Sequence, residues 1–305
     1  MPRHCVLAVS AVVLLTTAQL VFLHAAPAPG SALSRIRETG RLTFGYRADA
    51  RPFSFRDDAG NAAGYSIALC QKIADQAKAD LQLPALMVRW VPVEAGSRFR
   101  ALQDGQVDLL CGADTVTLAR RAEVAFSIPV FPGGIGAVVR SDTPARLRDV
   151  LEGRNPQFQP TWRAAATQLL QSRDFSVVSG TTADAWLAGR MKDLDIVAAV
   201  APVTSYGSGI ERLIDRRSDV LFGERAILLE AAKRQGRGLV VLDRLFTYEP
   251  LALALARGDE DFRLLVDRAL SKVYRSGEIG NLYATSFGEP DESALTFFRQ
   301  NALPE

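Results

Sequence analysis

The sequence predicts an α/β protein of two lobes, each a mostly parallel sheet flanked by helices. Apolar strands alternate with helices of matching apolar spacing from residue 41 onward. Glycines stand where those elements should stop. The rhythm then breaks at AFSIPVFPGGIGAVVRSD, restarts near residue 140, and gives way to a second extended stretch, YEPLALALARGD. A second unit over about 140–245 between two extended segments reads as a second lobe.

Element by element, Ser34 caps a short helix, SRIRETG, closed by Gly40. RLTFGYR alternates as a strand, and DDAGN turns between aromatic residues as a hairpin or tight loop. SIALCQKIADQAKADL carries Ile67, Leu69, Ile73 and Ala77 at helical spacing. MVRWVPV is a strand, SRFRALQDG a short helix, and VDLLC a strand ending at Gly112. In the second unit LRDVLEGR, TTADAWLAGRM, Ser208–Asp215 and ERAILLEAAKRQG read as helices. DFSVVSG, IVAAVA, SDVLFG and GLVVLD read as strands. Residues 155–172 do not fit and read as an inserted loop and helix. A long amphipathic helix pair broken at Gly277 follows the second extended stretch.

The first 28 residues have the layout of a secretory signal peptide: a short basic start, an apolar run over Cys5–Leu23, then small residues and prolines. Cleavage is expected within 25–32; an uncleaved anchor is the alternative. No cysteine follows the run to carry a lipid. About 275 residues remain, enough for two modest domains. Both histidines, His4 and His24, leave with the leader. Ser-His-Asp and Cys-His catalysis and histidine-ligated metals are thereby excluded, and neither cofactor nor metal is expected. A net charge of +2 without a basic run argues against nucleic acid. Cys70 and Cys111 remain. In an oxidising compartment they are a disulfide candidate, with two buried thiols as the alternative; the loop of about 40 residues would contribute roughly 4 kcal/mol.

Ligands in open α/β sheets sit where strands end and helices begin. In CGADTVTLARR, Thr117 is a helix cap and Arg120 falls in the first turn, against the helix dipole. Thr115, Thr117 and Arg120 together suit a carboxylate or phosphate. SVVSGTT places Thr181 or Thr182 at a second such edge. DVLFGERA places Glu224 at a third, where a carboxylate can accept an ammonium. Arg47 closes the first strand. Cations and N–H donors for a carboxylate, with an acid for an amine, match an amino-acid zwitterion.

LTFGYRADARPFSFRDDAGNAAGYSIALCQKIA, RALQDGQVDLLCGADTVTLARRAEVAFSIPVF, SGTTADAW, RSDVLFGERA and the final helical region, in this order, resemble the solute-binding proteins of amino-acid ABC transporters. The resemblance spans nearly the whole chain after the leader. It implies the type II periplasmic binding-protein fold, with lobe 1 at 33–138 plus 248–305, lobe 2 at 139–247, and two hinge crossovers. It implies that Arg120 and Thr115 hold the α-carboxylate with Thr181, and that Glu224 holds the α-ammonium. The glutamate/aspartate-binding members are most similar, both cysteine positions included. By that likeness Arg47 and Arg98 receive a side-chain carboxylate, while Tyr206, Ala113 and Ala95 stand where those members carry a histidine and two serines. Val178 and Thr182 complete the implied lining. The expected protein is a monomeric periplasmic carrier, not an enzyme, that closes around glutamate or aspartate and docks transiently on an inner-membrane ABC permease. Alternatives are a binder of another small carboxylate and an enzyme like the cyclohexadienyl dehydratases, using Glu224 or Asp114 as acid. A kinase or transglycosylase sensor domain is disfavoured because the chain ends soon after its last helix.

Overall fold

A computed structural model describes residues 30–154, 162–236 and 238–304. The leader expected over 1–28 lies outside these, as do residues 155–161 of the expected insertion. The first lobe's elements begin α1 (Ala32–Thr39), β1 (Arg41–Tyr46), β2 (Asp49–Ala50), β3 (Ser54–Arg56), β4 (Ala62–Ala63), α2 (Tyr65–Asp80) and β5 (Met87–Pro92). They continue with α3 (Arg98–Gln103), β6 (Leu109–Thr115), α4 (Leu118–Arg121), β7 (Ala125–Phe126) and β8 (Phe131–Gly133). Next come β9 (Ile135–Arg140), α5 (Ala145–Glu152), α6 (Trp162–Gln171), β10 (Asp174–Val178), α7 (Thr182–Asp193) and β11 (Ala199–Val203). Then follow α8 (Tyr206–Ile214), β12 (Val220–Glu224), α9 (Arg225–Gln235) and β13 (Leu239–Val241). The chain closes with β14 (Glu249–Leu255), α10 (Glu260–Arg275), α11 (Glu278–Phe287) and α12 (Glu292–Asn301).

Two sheets organise the molecule. The first has the order β5-β1-β6-β14-β7, with β8 on β14; the second has β11-β10-β12-β9-β13. Each is parallel on one side, through β5, β1 and β6 or through β11, β10 and β12. Each turns antiparallel where a crossover strand enters, β14 in the first and β9 in the second. Those strands arrive from the other lobe rather than through a right-handed βαβ connection, so nothing forces them parallel. The crossovers lie side by side, with Glu249 opposite Gly133 and Leu251 opposite Phe131. At Gly134 a Cβ would stand 2.2 Å from the Thr247 carbonyl oxygen, so the two connections pack as closely as they do only without a side chain there.

Apolar periodicity does what the sequence suggests. Helix α2 buries Ile67, Leu69, Cys70, Ile73, Ala74 and Ala77 on one face. From that face Cys70 reaches β6 and forms a disulfide with Cys111, the Cα atoms 6.2 Å apart. An aromatic cluster of Phe53, Tyr65, Phe131 and Phe287 locks α11 onto the first lobe. Helix α10 ends before Gly277, whose φ of 79° starts α11. The second lobe has its own core around Val139, Phe175, Val177 and Phe222. The largest buried cluster takes in Ala50 and Ala95 from the first lobe and Val178 and Tyr206 from the second, so the lobes are drawn together.

Two local readings change. Helix α1 is capped by Ser31, whose Oγ accepts from Ser34 N at 3.2 Å; Ser34 is the donor, one turn inside. Strand β6 does not stop at Gly112 but runs to Thr115, because β14 pairs with its last residues: Thr115 faces Leu251 and Asp114 faces Ala252.

Candidate ligand site between the lobes

The strand ends and helix starts of both lobes converge on one small cavity of about 30 Å³. Of the ligand contacts expected from the sequence, Arg47, Arg98, Ala113, Thr115 and Arg120 line it from the first lobe. Thr181, Thr182, Tyr206 and Glu224 line it from the second. Val178 does not; it is buried beneath, where its carbonyl accepts from Thr181 Oγ1 at 2.7 Å. Ala50, Asp114, Ile135 and Ala183 complete the walls.

Arg47 follows β1. Its backbone N–H donates to Ser54 Oγ, which fixes its direction. Its guanidinium donates to Asp49 Oδ1 through Nε (2.9 Å) and Nη2 (2.6 Å). The second oxygen of Asp49 accepts from Tyr206 N across the cleft at 3.4 Å. Arg98 opens α3 and packs over the Phe99 ring, 4.2 Å from its centroid. It donates from Nε to Asp114 Oδ1 at 2.5 Å and from Nη1 to the Ala95 carbonyl. Both arginines expected to receive a ligand carboxylate are therefore already paired with aspartates of the chain.

Arg120 differs. Thr117 caps α4 as expected, and Arg121 faces solvent. The Arg120 guanidinium turns inward, donating to the carbonyls of Thr115 (2.9 Å) and, across the cleft, Gly180 (3.4 Å). Among the described residues it has no carboxylate within ion-pair distance. Burial, then the Arg98 charge, push its pKa down to about 10. With only four residues, α4 adds little dipole; the inward guanidinium is the anion-binding feature here.

On the opposite wall Thr181 spends its hydroxyl on Val178 and leaves the N-terminal amides of α7 uncapped by side chains. Thr182 Oγ1 donates to Glu249 Oε2 (2.8 Å) and lies 3.3 Å from Thr115 Oγ1, which must therefore donate to it. Glu249 is a group the sequence did not single out. It lies 67 residues from Thr182 and meets it only because β14 crosses back beside β8. Glu224 ends β12 and accepts from Gly134 N (3.0 Å) and Ala226 N (3.3 Å). Burial nevertheless raises its pKa to about 7. Burial also raises the Tyr206 phenol to about 12, so it stays neutral, accepting from Glu224 N at 3.3 Å. Among the described residues lining the cavity, Arg120 is thus a cation without an ion-pair partner and Glu224 a desolvated carboxyl in the other lobe. Among the described residues, no three His, Cys, Asp or Glu side chains group as metal ligands.

Residues 42–289 match the model of the bacterial extracellular solute-binding proteins, family 3. The chain belongs to this family. This solute-binding protein is 28% identical over 284 residues to the L-glutamate/L-aspartate-binding protein of Pseudomonas aeruginosa, covering 91% of this chain and 88% of the relative. It is also 24% identical over 277 residues to the cyclohexadienyl dehydratase of the same organism, covering 90% and 91% of the two chains. Its fold matches the crystal structure of a cysteine-binding protein from Campylobacter jejuni, with a TM-score of 0.69 at 22% identity, over 86% of this chain and 96% of that one. The family binds amino acids and works with ABC transporters, and the fold is the two-lobed type II arrangement expected. Among the described residues no helix is long and apolar enough to cross a membrane.

Proposed function

We propose that the protein is the periplasmic carrier of an ABC importer, a monomer that closes its lobes on an α-amino acid and presents it to an inner-membrane permease. The observation that carries this is Arg120: a desolvated guanidinium, hydrogen-bonded among the described residues to carbonyls alone, lining the same cavity as the Glu224 carboxyl of the other lobe. The α-carboxylate binds Arg120 and the free amides at the start of α7, and the Thr115 hydroxyl turns from Thr182 to donate to it; the α-ammonium binds Glu224. Each charge of the zwitterion then meets a buried group that lacks a counter-charge. Hinge closure brings the halves of the site together. For the side chain, the relative in P. aeruginosa favours glutamate or aspartate, whereas Arg47 and Arg98 already hold Asp49 and Asp114 as counter-ions. A thermal-shift panel of the common amino acids and small dicarboxylates tests the proposal. A saturating α-amino acid raises the melting temperature; no shift with any of them refutes it.

Glu224 supports a second reading. A carboxyl with a pKa of about 7 is partly protonated at neutral pH and can serve as a general acid, and a dehydratase is among the relatives. Turnover of prephenate or arogenate, lost in Glu224→Gln, would establish it; no turnover by the wild type removes it.

A further inference from the structure

The side-chain end of the cavity contains two closed ion pairs. Asp114 holds Arg98, and both are nearly inaccessible, at 2% and 4% exposure. Asp49 holds Arg47 through two nitrogens. The second oxygen of Asp114 is buried in the cavity wall without a hydrogen-bond partner. Arg47 Nη1 and Arg98 Nη2 carry no hydrogen bond among the described residues. The proposed zwitterion contacts use the charges of Arg120 and Glu224, so the remaining charges at this end sum to zero.

We infer that this end selects a neutral side chain that both donates and accepts, a carboxamide above all, and that Asp114 is the residue that sets the selection. The inference rests on the amino-acid reading above and refines its ligand. A side-chain carboxylate that accepted from a free nitrogen of Arg98 or Arg47 would bring its second oxygen against Asp114, and pushing Asp114 off Arg98 would leave an uncompensated buried charge. Held in place, Asp114 repels that carboxylate directly. A cationic side chain would meet the guanidinium groups of Arg47 and Arg98. A carboxamide satisfies what is left over: its NH₂ donates to Asp114 Oδ2, and its carbonyl accepts from a free guanidinium nitrogen. The apolar walls Ala50 and Ala113 offer no competing partner.

Calorimetric titration of the wild type and of Asp114→Asn with glutamine, asparagine, glutamate, aspartate and arginine tests this. The wild type binds glutamine or asparagine at least about tenfold tighter than either dicarboxylic acid. Asp114→Asn frees Arg98 and shifts the preference toward the acids by at least about the same factor. The wild-type ranking stands as a test even if the variant does not fold. Tighter wild-type binding of glutamate, aspartate or arginine than of the amides overturns the inference and leaves the amino-acid reading intact. So does an Asp114→Asn variant that binds amides normally without gaining the acids. Binding of no amino acid overturns both.

Discussion

Replacing Arg120 with methionine separates a ligand-binding cation from a structural one. The wild-type guanidinium is buried beside Arg98 at a cost that is reflected in its lowered pKa. The difference between 12.5 and about 10, at about 1.4 kcal/mol per pH unit, is about 3 kcal/mol. A base with a depressed pKa destabilises the fold fully at all pH values below the folded-state value, so the whole cost is present at neutrality. Against it stands the bond to the Thr115 carbonyl at 2.9 Å, worth about 1.5–3 kcal/mol for a charged donor. The terms nearly cancel, so Arg120→Met should change the stability of the free protein by no more than about 1.5 kcal/mol, or about 3–6 °C. Ligand binding should respond very differently. At a hundredfold excess over Kd, an amino acid stabilises the wild type by about 2.7 kcal/mol, or roughly 5–10 °C. Loss of the partner of a buried carboxylate costs about 2–5 kcal/mol of affinity, enough to cut the ligand stabilisation to about 0.9 kcal/mol or less at the same concentration. Differential scanning calorimetry with and without ligand reads both quantities. An undiminished ligand shift in Arg120→Met, or a free protein destabilised by more than about 10 °C, would rule out this role for Arg120.

Two further outcomes follow from the same geometry. The Glu224 carboxyl, raised from 4.5 to about 7, binds an extra proton in the folded state between those values. The free protein should therefore lose up to about 3 kcal/mol as pH rises from 4.5 to 7. Ammonium binding requires the ionised form, so affinity should be flat above pH 7 and fall about tenfold per unit below it; Glu224→Gln should flatten both profiles, and titrations across pH 5–8 check this. Gly180 has φ +74°, and a Cβ there would stand 3.0 Å from Gly96 Cα in the other lobe. Gly180→Ala should cost the fold about 1–2 kcal/mol and, by holding the lobes apart, weaken binding at least about tenfold. Unchanged ligand-induced compaction in small-angle scattering would contradict that.

Much of this was legible in the sequence because it is local. Apolar spacing in α2, the glycine stops at Gly40 and Gly277, and the Thr117 cap are decided within a few residues. Arg47, Thr115, Arg120, Thr181 and Glu224 were legible because strand ends followed by helix starts announce themselves in the chain; Arg98, Ala113 and Tyr206 came only with the family resemblance. Effects of distant segments were not legible. Strand β6 runs past Gly112 because β14, over a hundred residues later in the chain, pairs with its last residues. Glu249 reaches Thr182 by the same return of the chain. Asp114, offered by the sequence only as an acid for the enzyme alternative, proves to hold Arg98; its 16-residue separation from that partner spans a helix and a strand. Asp49 lies only two residues from Arg47 and was open to recognition as its counter-ion.

The central claim is that the two charges of an α-amino acid are held by Arg120 and Glu224. Calorimetric titration with the best-binding amino acid and its α-carboxamide analogue, which keeps the ammonium and side chain but removes the carboxylate, tests it most directly. Saturable binding of the amino acid is expected, with binding of the analogue weaker by at least about thirtyfold, which corresponds to the lower end of the buried-pair range. Equal affinity for the two would contradict it.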